Sequence, residues 1–265
     1  MKKAVSILMF IVVLLSFSGC GKGEETTDEM VWVPTDEIDL IFTSADKYKN
    51  QWVELKGKVF SEPEVYDDSI AFQMFADSEK AEKNTIVLYG DKNFDVKSGE
   101  YVKVLGQVYD QFKSENRFGG EITAPRIVAG KIEKMSYKDA VRPTIKECSV
   151  NMEKDQYGYK VIIEKVEFAE KETRIYVKVI NNGDKEMSIY SHSCVISQNG
   201  KQYEQENNYD ADYQEIQSNL LSGNTTEGIL TFPAIEMTDF KITIDGTNFD
   251  YEHEIEPYEF NIAIN

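Results

Sequence analysis

The sequence predicts a mainly β protein: an N-terminal signal helix, a small five-stranded barrel with a leading helix, then a second antiparallel β-sandwich. Three observations carry that prediction. Apolar and polar residues alternate along residues 51–60 and 173–180, the period of a half-buried strand. Turn-forming clusters, Asn181-Asn182-Gly183-Asp184 and Gln198-Asn199-Gly200-Lys201, divide such runs at short spacing. The one long apolar run, residues 4–17, stands at the N terminus behind Lys2 and Lys3.

That run has the length of a signal-peptide core and is too short for a relaxed bilayer-spanning helix. Small residues Ser18 and Gly19 follow it and precede Cys20. The stretch Leu15-Ser16-Phe17-Ser18-Gly19-Cys20 resembles the bacterial lipoprotein signal with its lipobox, with Phe17 where that family usually has Leu. The resemblance implies cleavage before Cys20 and a diacylglyceryl group on its sulfur, with acyl chains such as palmitate. Residues 1–19 are then the signal peptide, and residues 20–35 the lipidated Cys and a flexible acidic linker. Each buried acyl CH₂ is worth about 0.8 kcal/mol, and two chains suffice for stable anchoring. The expected location is the cell membrane, lipid-anchored, on its extracytoplasmic face.

Removal of residues 1–19 leaves 27 basic and 47 acidic residues, a net charge of −20. Such a surface repels phosphate, so nucleic acid is excluded as a partner. An apolar content of 41% is ample for real cores, and about 245 residues suffice for two domains. Besides Cys20 there are Cys148 and Cys194, which in an exported protein either pair or remain as two buried thiols.

Taken in order, residues 21–35 have a linker's composition, except for Met30-Val31-Trp32-Val33. Trp32 either docks on the first domain or sits near the membrane interface. Thr35 is the expected N-cap of a short helix, with Asp36 and Glu37 favouring the dipole in its first turn. Ile38, Ile41, Phe42 and Ala45 give that helix one apolar face. Strands follow at 51–60, 69–76, 85–89, 100–109 and 122–129. Gly57 suits a bulge or strong bend, and Pro125 places the last strand at an edge or bulge. Five short strands behind a helix suggest a small barrel.

This part resembles the OB-fold domains, often called tRNA-anti-like, of bacterial lipoproteins and small secreted proteins. The residues concerned are 45–59, with Tyr48-Lys49-Asn50-Gln51-Trp52-Val53 followed by Gly57-Lys58-Val59, and Val102-Lys103-Val104-Leu105-Gly106-Gln107-Val108. The resemblance spans residues 36–135. It would permit strand binding through Trp52, Phe60, Phe72, Phe75 and Tyr89, but the segment carries a net charge of −5 and no basic stripe.

Residues 136–144 form a linker with a helical turn or two, closed by Pro143. Strands then recur at 159–168, 173–180, 187–197, 225–232, 240–244 and 259–264, the pattern of a sandwich. Residues 145–265 resemble a telokin-like, immunoglobulin-like domain of unknown function common in exported proteins and lipoproteins of Gram-positive bacteria. The most telling stretch is Leu220-Leu221-Ser222-Gly223-Asn224-Thr225-Thr226-Glu227-Gly228-Ile229-Leu230-Thr231-Phe232. That family carries no assigned activity.

Candidate chemistry is sparse. Glu204, Glu206, Asp210, Asp212 and Glu215 share one loop and supply oxygen ligands of the kind Ca²⁺ takes, without the spacing or glycine of an EF-hand. His192 and Cys194 lie two apart in an expected strand and would face one side. With His253 the only other histidine, a zinc site or a His-based triad is not expected. No phosphate loop, nucleophile elbow or zinc-protease motif occurs, and no cofactor is expected. The sequence therefore points to a non-enzymatic surface lipoprotein acting as an extracytoplasmic binding module. Its partner would be an envelope protein or wall ligand. The alternatives are a cell-envelope enzyme acting on wall glycans through carboxylates, or a Ca²⁺-dependent adhesion module.

Overall fold

The alternation at residues 51–60 becomes strand β1 (Trp52–Val59), with Val53, Leu55 and Val59 turned inward and Glu54 and Lys56 outward. The structure, a computed structural model, describes residues 30–115, 120–248, 250 and 252–264. The expected signal peptide 1–19, the lipidation site Cys20 and the linker before residue 30 lie outside the described residues. Among the described residues no helix is long and apolar enough to cross a membrane.

The first sheet continues with β2 (Glu64–Val65), β3 (Ile70–Asp77), β4 (Glu82–Tyr89), β5 (Tyr101–Glu115) and β6 (Glu121–Met135). Its order is β1-β5-β6-β4-β3-β2, and β1 also pairs with β3 through Lys58↔Phe75 and Val59↔Met74. All pairings are antiparallel except β4 with β6, which run parallel from Ile86↔Arg126 to Tyr89↔Ala129. Ile41, Val53, Phe72, Met74, Val87, Val104, Val108 and Ile127 fill one core. Gly57 is needed for close approach: a Cβ there would lie 2.6 Å from the Phe75 carbonyl oxygen, where β1 exchanges β5 for β3. Pro125 sits opposite Gln111, beside a register shift at Val108/Asp110 and just before β6 meets β4.

The leading helix is not one regular α-helix. A 3₁₀ turn (Thr35–Leu40), a short α1 (Ile41–Ser44) and a second 3₁₀ turn (Ala45–Tyr48) succeed one another. Ala45 N–H donates to Gln111 Oε1 at 2.6 Å instead of continuing the α-helical ladder. Thr35 is not the N-cap, since Pro34 holds that place with no side-chain capping bond. The apolar face is as expected, with Ile41 and Ala45 buried and Ile38 and Phe42 packed against the core.

Helix α2 (Tyr137–Val141) joins the two cores and is capped by the Ser136 hydroxyl, which accepts from Asp139 N–H at 3.1 Å. Beyond it come β7 (Lys146–Gln156), β8 (Tyr159–Phe168), β9 (Glu172–Asn181), β10 (Met187–Ile189), β11 (Val195–Gln198), β12 (Lys201–Glu204), β13 (Asn219–Leu220), β14 (Thr225–Pro233), β15 (Phe240–Ile244), β16 (Gly246–Asn248) and β17 (Tyr258–Ile262). They form sheets β14-β9-β8-β7, β12-β11-β15-β17 and β13-β10-β16, all antiparallel. One core serves all three, with Ile163, Ile175, Val177 and Phe232 from the first sheet, Ile196, Ile242 and Phe260 from the second, and Met187 and Leu220 from the third. The chain is thus mainly β, with several sheets around two cores.

The expected strand 187–197 is broken by a 3₁₀ turn at Ser191–Ser193. His192 and Cys194 therefore do not share a strand face: His192 is exposed and Cys194 is fully buried.

Candidate functional site

Strand β9 sends Ile175, Val177 and Val179 into the core, so alternation should leave Arg174 on the solvent side. Arg174 is instead completely buried. The residues after α2 and the loop 205–217 close over that face, and they satisfy the guanidinium. Nε donates to Glu167 Oε2 at 3.0 Å, and Nη2 to Thr144 Oγ1 at 2.8 Å. Nη1 reaches Glu172 Oε1 at 2.6 Å, the Arg142 carbonyl at 2.9 Å and the Tyr213 hydroxyl at 3.2 Å. A planar fork with five donors suits this cage; a lysine would leave several acceptors unmet.

Glu167, also fully buried, accepts further from Lys165 at 2.6 Å, Thr144 at 2.9 Å and Lys138 at 3.2 Å. Burial alone would raise its carboxyl. Hydrogen bonds from Lys165, Thr144, Tyr176 and Lys138 outweigh that effect and hold it down to about 2. Glu172 receives the Tyr213 hydroxyl at 2.5 Å and Asn208 Nδ2 at 3.0 Å. Burial, reinforced by Glu172, pushes the Tyr213 phenol well up.

Contacts run from this cluster to the first sheet. Tyr137 on α2 meets Tyr101 edge-on at 5.6 Å and Tyr213 at 6.0 Å, and its hydroxyl accepts from Asn208 at 3.0 Å. Glu79, in the β3–β4 turn, pairs with Arg142 at 2.5 Å and Lys171 at 2.7 Å. Lys58 at the end of β1 pairs with Asp210 at 3.6 Å. These contacts leave a groove of about 430 Å³ lined by residues that include Glu79, Tyr101, Tyr137, Arg142, Asn208 and Tyr209. A neighbouring groove of about 480 Å³ includes Glu100, Lys138, Tyr176 and Asp212. Arg142, which lines the first, has a buried Nε without a hydrogen-bond partner among the described residues. This surface can stack against a ligand face and exchange hydrogen bonds with it.

The residues singled out by sequence fare differently. Glu204, Glu206, Asp210, Asp212 and Glu215 are all exposed, and among the described residues no three or more His, Cys, Asp or Glu side chains converge as metal ligands. The loop lies along β14 with Asn208 and Tyr213 turned inward, which leaves its carboxylates spread outward. Glu206 and Asp210 do contribute to the first groove. The Cys148–Cys194 disulfide is not formed, and both are free thiols. Cys148 is half-buried on β7 opposite Val166, while Cys194 lies in the core beneath the Tyr190 carbonyl at 3.6 Å. Burial pushes the Cys194 thiol up to about 11. The Arg174 cluster escaped sequence reasoning. Its only signal was the rarity of arginine, four residues in a lysine-rich chain.

No known protein-family profile matches the chain, and no curated protein does. Among solved structures it is similar to a functionally unknown protein from Listeria monocytogenes EGD-e. The match has 13% identity and a TM-score of 0.40, and covers 49% of this chain and 94% of that one.

Proposed function

We propose that the chain is a non-enzymatic, lipid-anchored surface lipoprotein whose two β halves act together as an extracytoplasmic binding module. The observation that carries this reading is the groove shared by the halves, with its tyrosines and amides. Ligand sites favour such concave junctions. The anchor rests on Leu15–Cys20, with Cys20 the acylated residue.

The first half is read as an OB-fold. Supporting this, the order β1-β3-β4-β6-β5 returns to β1, with β4 and β6 parallel. Such an order supports reading this half as a five-stranded Greek-key barrel. The second half is read as an immunoglobulin-like sandwich, supported by the four-stranded antiparallel sheets that share one core. The domains would be 36–135 and 145–265, joined by 136–144.

Two measurements test the proposal. Cells fed a clickable fatty acid should label the wild-type protein and not Cys20→Ala, which should leave the membrane fraction; unchanged labelling and retention would refute the anchor. The wild-type protein should retain a component of a solubilised envelope fraction that Tyr209→Ala/Asp210→Ala releases at equal thermal stability. Equal retention by both would remove the groove as the binding surface.

A further inference from the structure

The two tryptophans of the chain stand side by side on one outward sheet face. Val33 N–H donates to the Trp52 carbonyl at 2.9 Å, and Trp52 N–H donates to the Val31 carbonyl at 2.7 Å. Residues 31–33 thus run parallel to β1 with Trp32 opposite Trp52. Val33 and Val53 enter the core, so both indoles point away from it. The same cross-strand row continues through Gln107, Val128 and Leu88. Gly130 makes room for the Trp52 ring, since a Cβ there would lie 3.3 Å from it. Trp32 is 46% exposed and Val128 43%. From Trp32 to Leu88 this row carries no charge; Glu54 and Lys131 lie in the row on one side, and the paired Asp110 and Arg126 in the row on the other.

The position of the face argues for its occupant. Trp52 opens β1, whereas Lys58 and Tyr101, beside the junction groove, lie six residues on at its other end, about 20 Å away at 3.3 Å per residue. Val31 also begins the folded body, eleven residues along the chain from Cys20, a contour of at most about 40 Å. Indole rings favour the headgroup level of a membrane, where an apolar body meets a wet edge. A tether raises the local concentration of a weakly binding surface.

We propose that the Trp32–Trp52 face rests on the lipid headgroups of the membrane that holds Cys20, which turns the groove outward. The inference rests on the lipoprotein reading above. The contact is shallow, because the net charge of −20 opposes closer adsorption to anionic lipid.

The test uses the full-length lipidated protein in phosphatidylcholine vesicles carrying brominated acyl chains. The protein should sediment with the vesicles, and tryptophan emission should fall by roughly half against unbrominated lipid, as expected of indoles near the headgroups. Trp32→Phe should leave Trp52 quenched. Val128→Glu, on the exposed face, should reduce quenching with sedimentation and circular dichroism unchanged. Sedimentation without quenching overturns the inference and leaves the anchor standing. Loss of sedimentation by the wild type overturns both. Unquenched emission together with a dimer mass in light scattering assigns the face to a second copy and also overturns it.

Discussion

Arg174 is the residue on which the second half's charge balance turns. It neutralises Glu167 and Glu172 inside a water-excluded site, with distances of 3.0 and 2.6 Å. Removing one partner of a buried pair strands the others and costs about 3–5 kcal/mol. Arg174→Ala should therefore lower the urea midpoint far more than Lys241→Ala, which breaks the exposed pair with Glu259, a class worth at most about 1 kcal/mol. Acid should act through Glu167. Its folded-state carboxyl is held down to about 2, below the ordinary 4.5, so its contribution is complete above about 4.5 and fades as pH falls towards 2. Urea midpoints measured across that window should fall steeply for wild type and less for Glu167→Gln. At Cys194 the raised thiol and its burial predict no reaction with a thiol reagent at pH 8 until the protein is unfolded.

At the scale of elements, alternation told most of the story. Strands β1 and β15, and the parts of β8 and β9 away from the Arg174 cluster, were legible because one face meets a core and the other is more open to water, so the period is written into the sequence. β7 was not, since it is an edge strand with a mostly exposed, mixed Lys-Glu-Cys-Ser-Val-Asn pattern held by backbone pairing with β8. The break at Ser191–Ser193 was hidden because its neighbours on both sides are themselves strand. The groove was hidden for another reason. Tyr101, Tyr137, Asn208 and Arg142 meet only when separate segments fold together. Arginine offered a partial signal: Arg126, Arg142 and Arg174 each hold a close carboxylate partner, Asp110, Glu79 and Glu167 respectively, where forked geometry outperforms lysine. The loop 205–217 depends on Gly228 of β14, where a Cβ would sit 2.5 Å from Ile216 N. Gly228→Ala should force the loop outward and cost about 1–3 kcal/mol in chemical denaturation. It should also speed backbone hydrogen exchange at Ile229, which donates to Gln214.

For the whole molecule, the polar character of the junction matters more than its extent. Glu79 alone carries two of the ion pairs that cross it, to Arg142 and Lys171. Among the described residues, Glu79→Ala would leave both cations without a carboxylate partner. That variant should expose α2, and tryptic cleavage after Lys138 should become several-fold faster while each core keeps its circular dichroism. Wild type in 0.5 M salt should move in the same direction by less, because the pairs are partly screened.

The hairpin that carries Arg174 has a kinetic consequence. Glu167 and Arg174 are direct partners across the β8–β9 turn, and Glu172 lies two residues before Arg174. The central charges of the cluster are thus close in sequence and can come together when the hairpin closes, a microsecond event. In the first sheet β1 must find β5 some fifty residues away, from Trp52↔Gln107 to Lys58↔Tyr101, with the larger loop-closure entropy that such distance brings. The second half is therefore expected to fold ahead of the first once the chain is released. It would then present Glu172 and Arg174 as a ready-made seat on which Tyr213, Thr144 and the segment around Arg142 settle last.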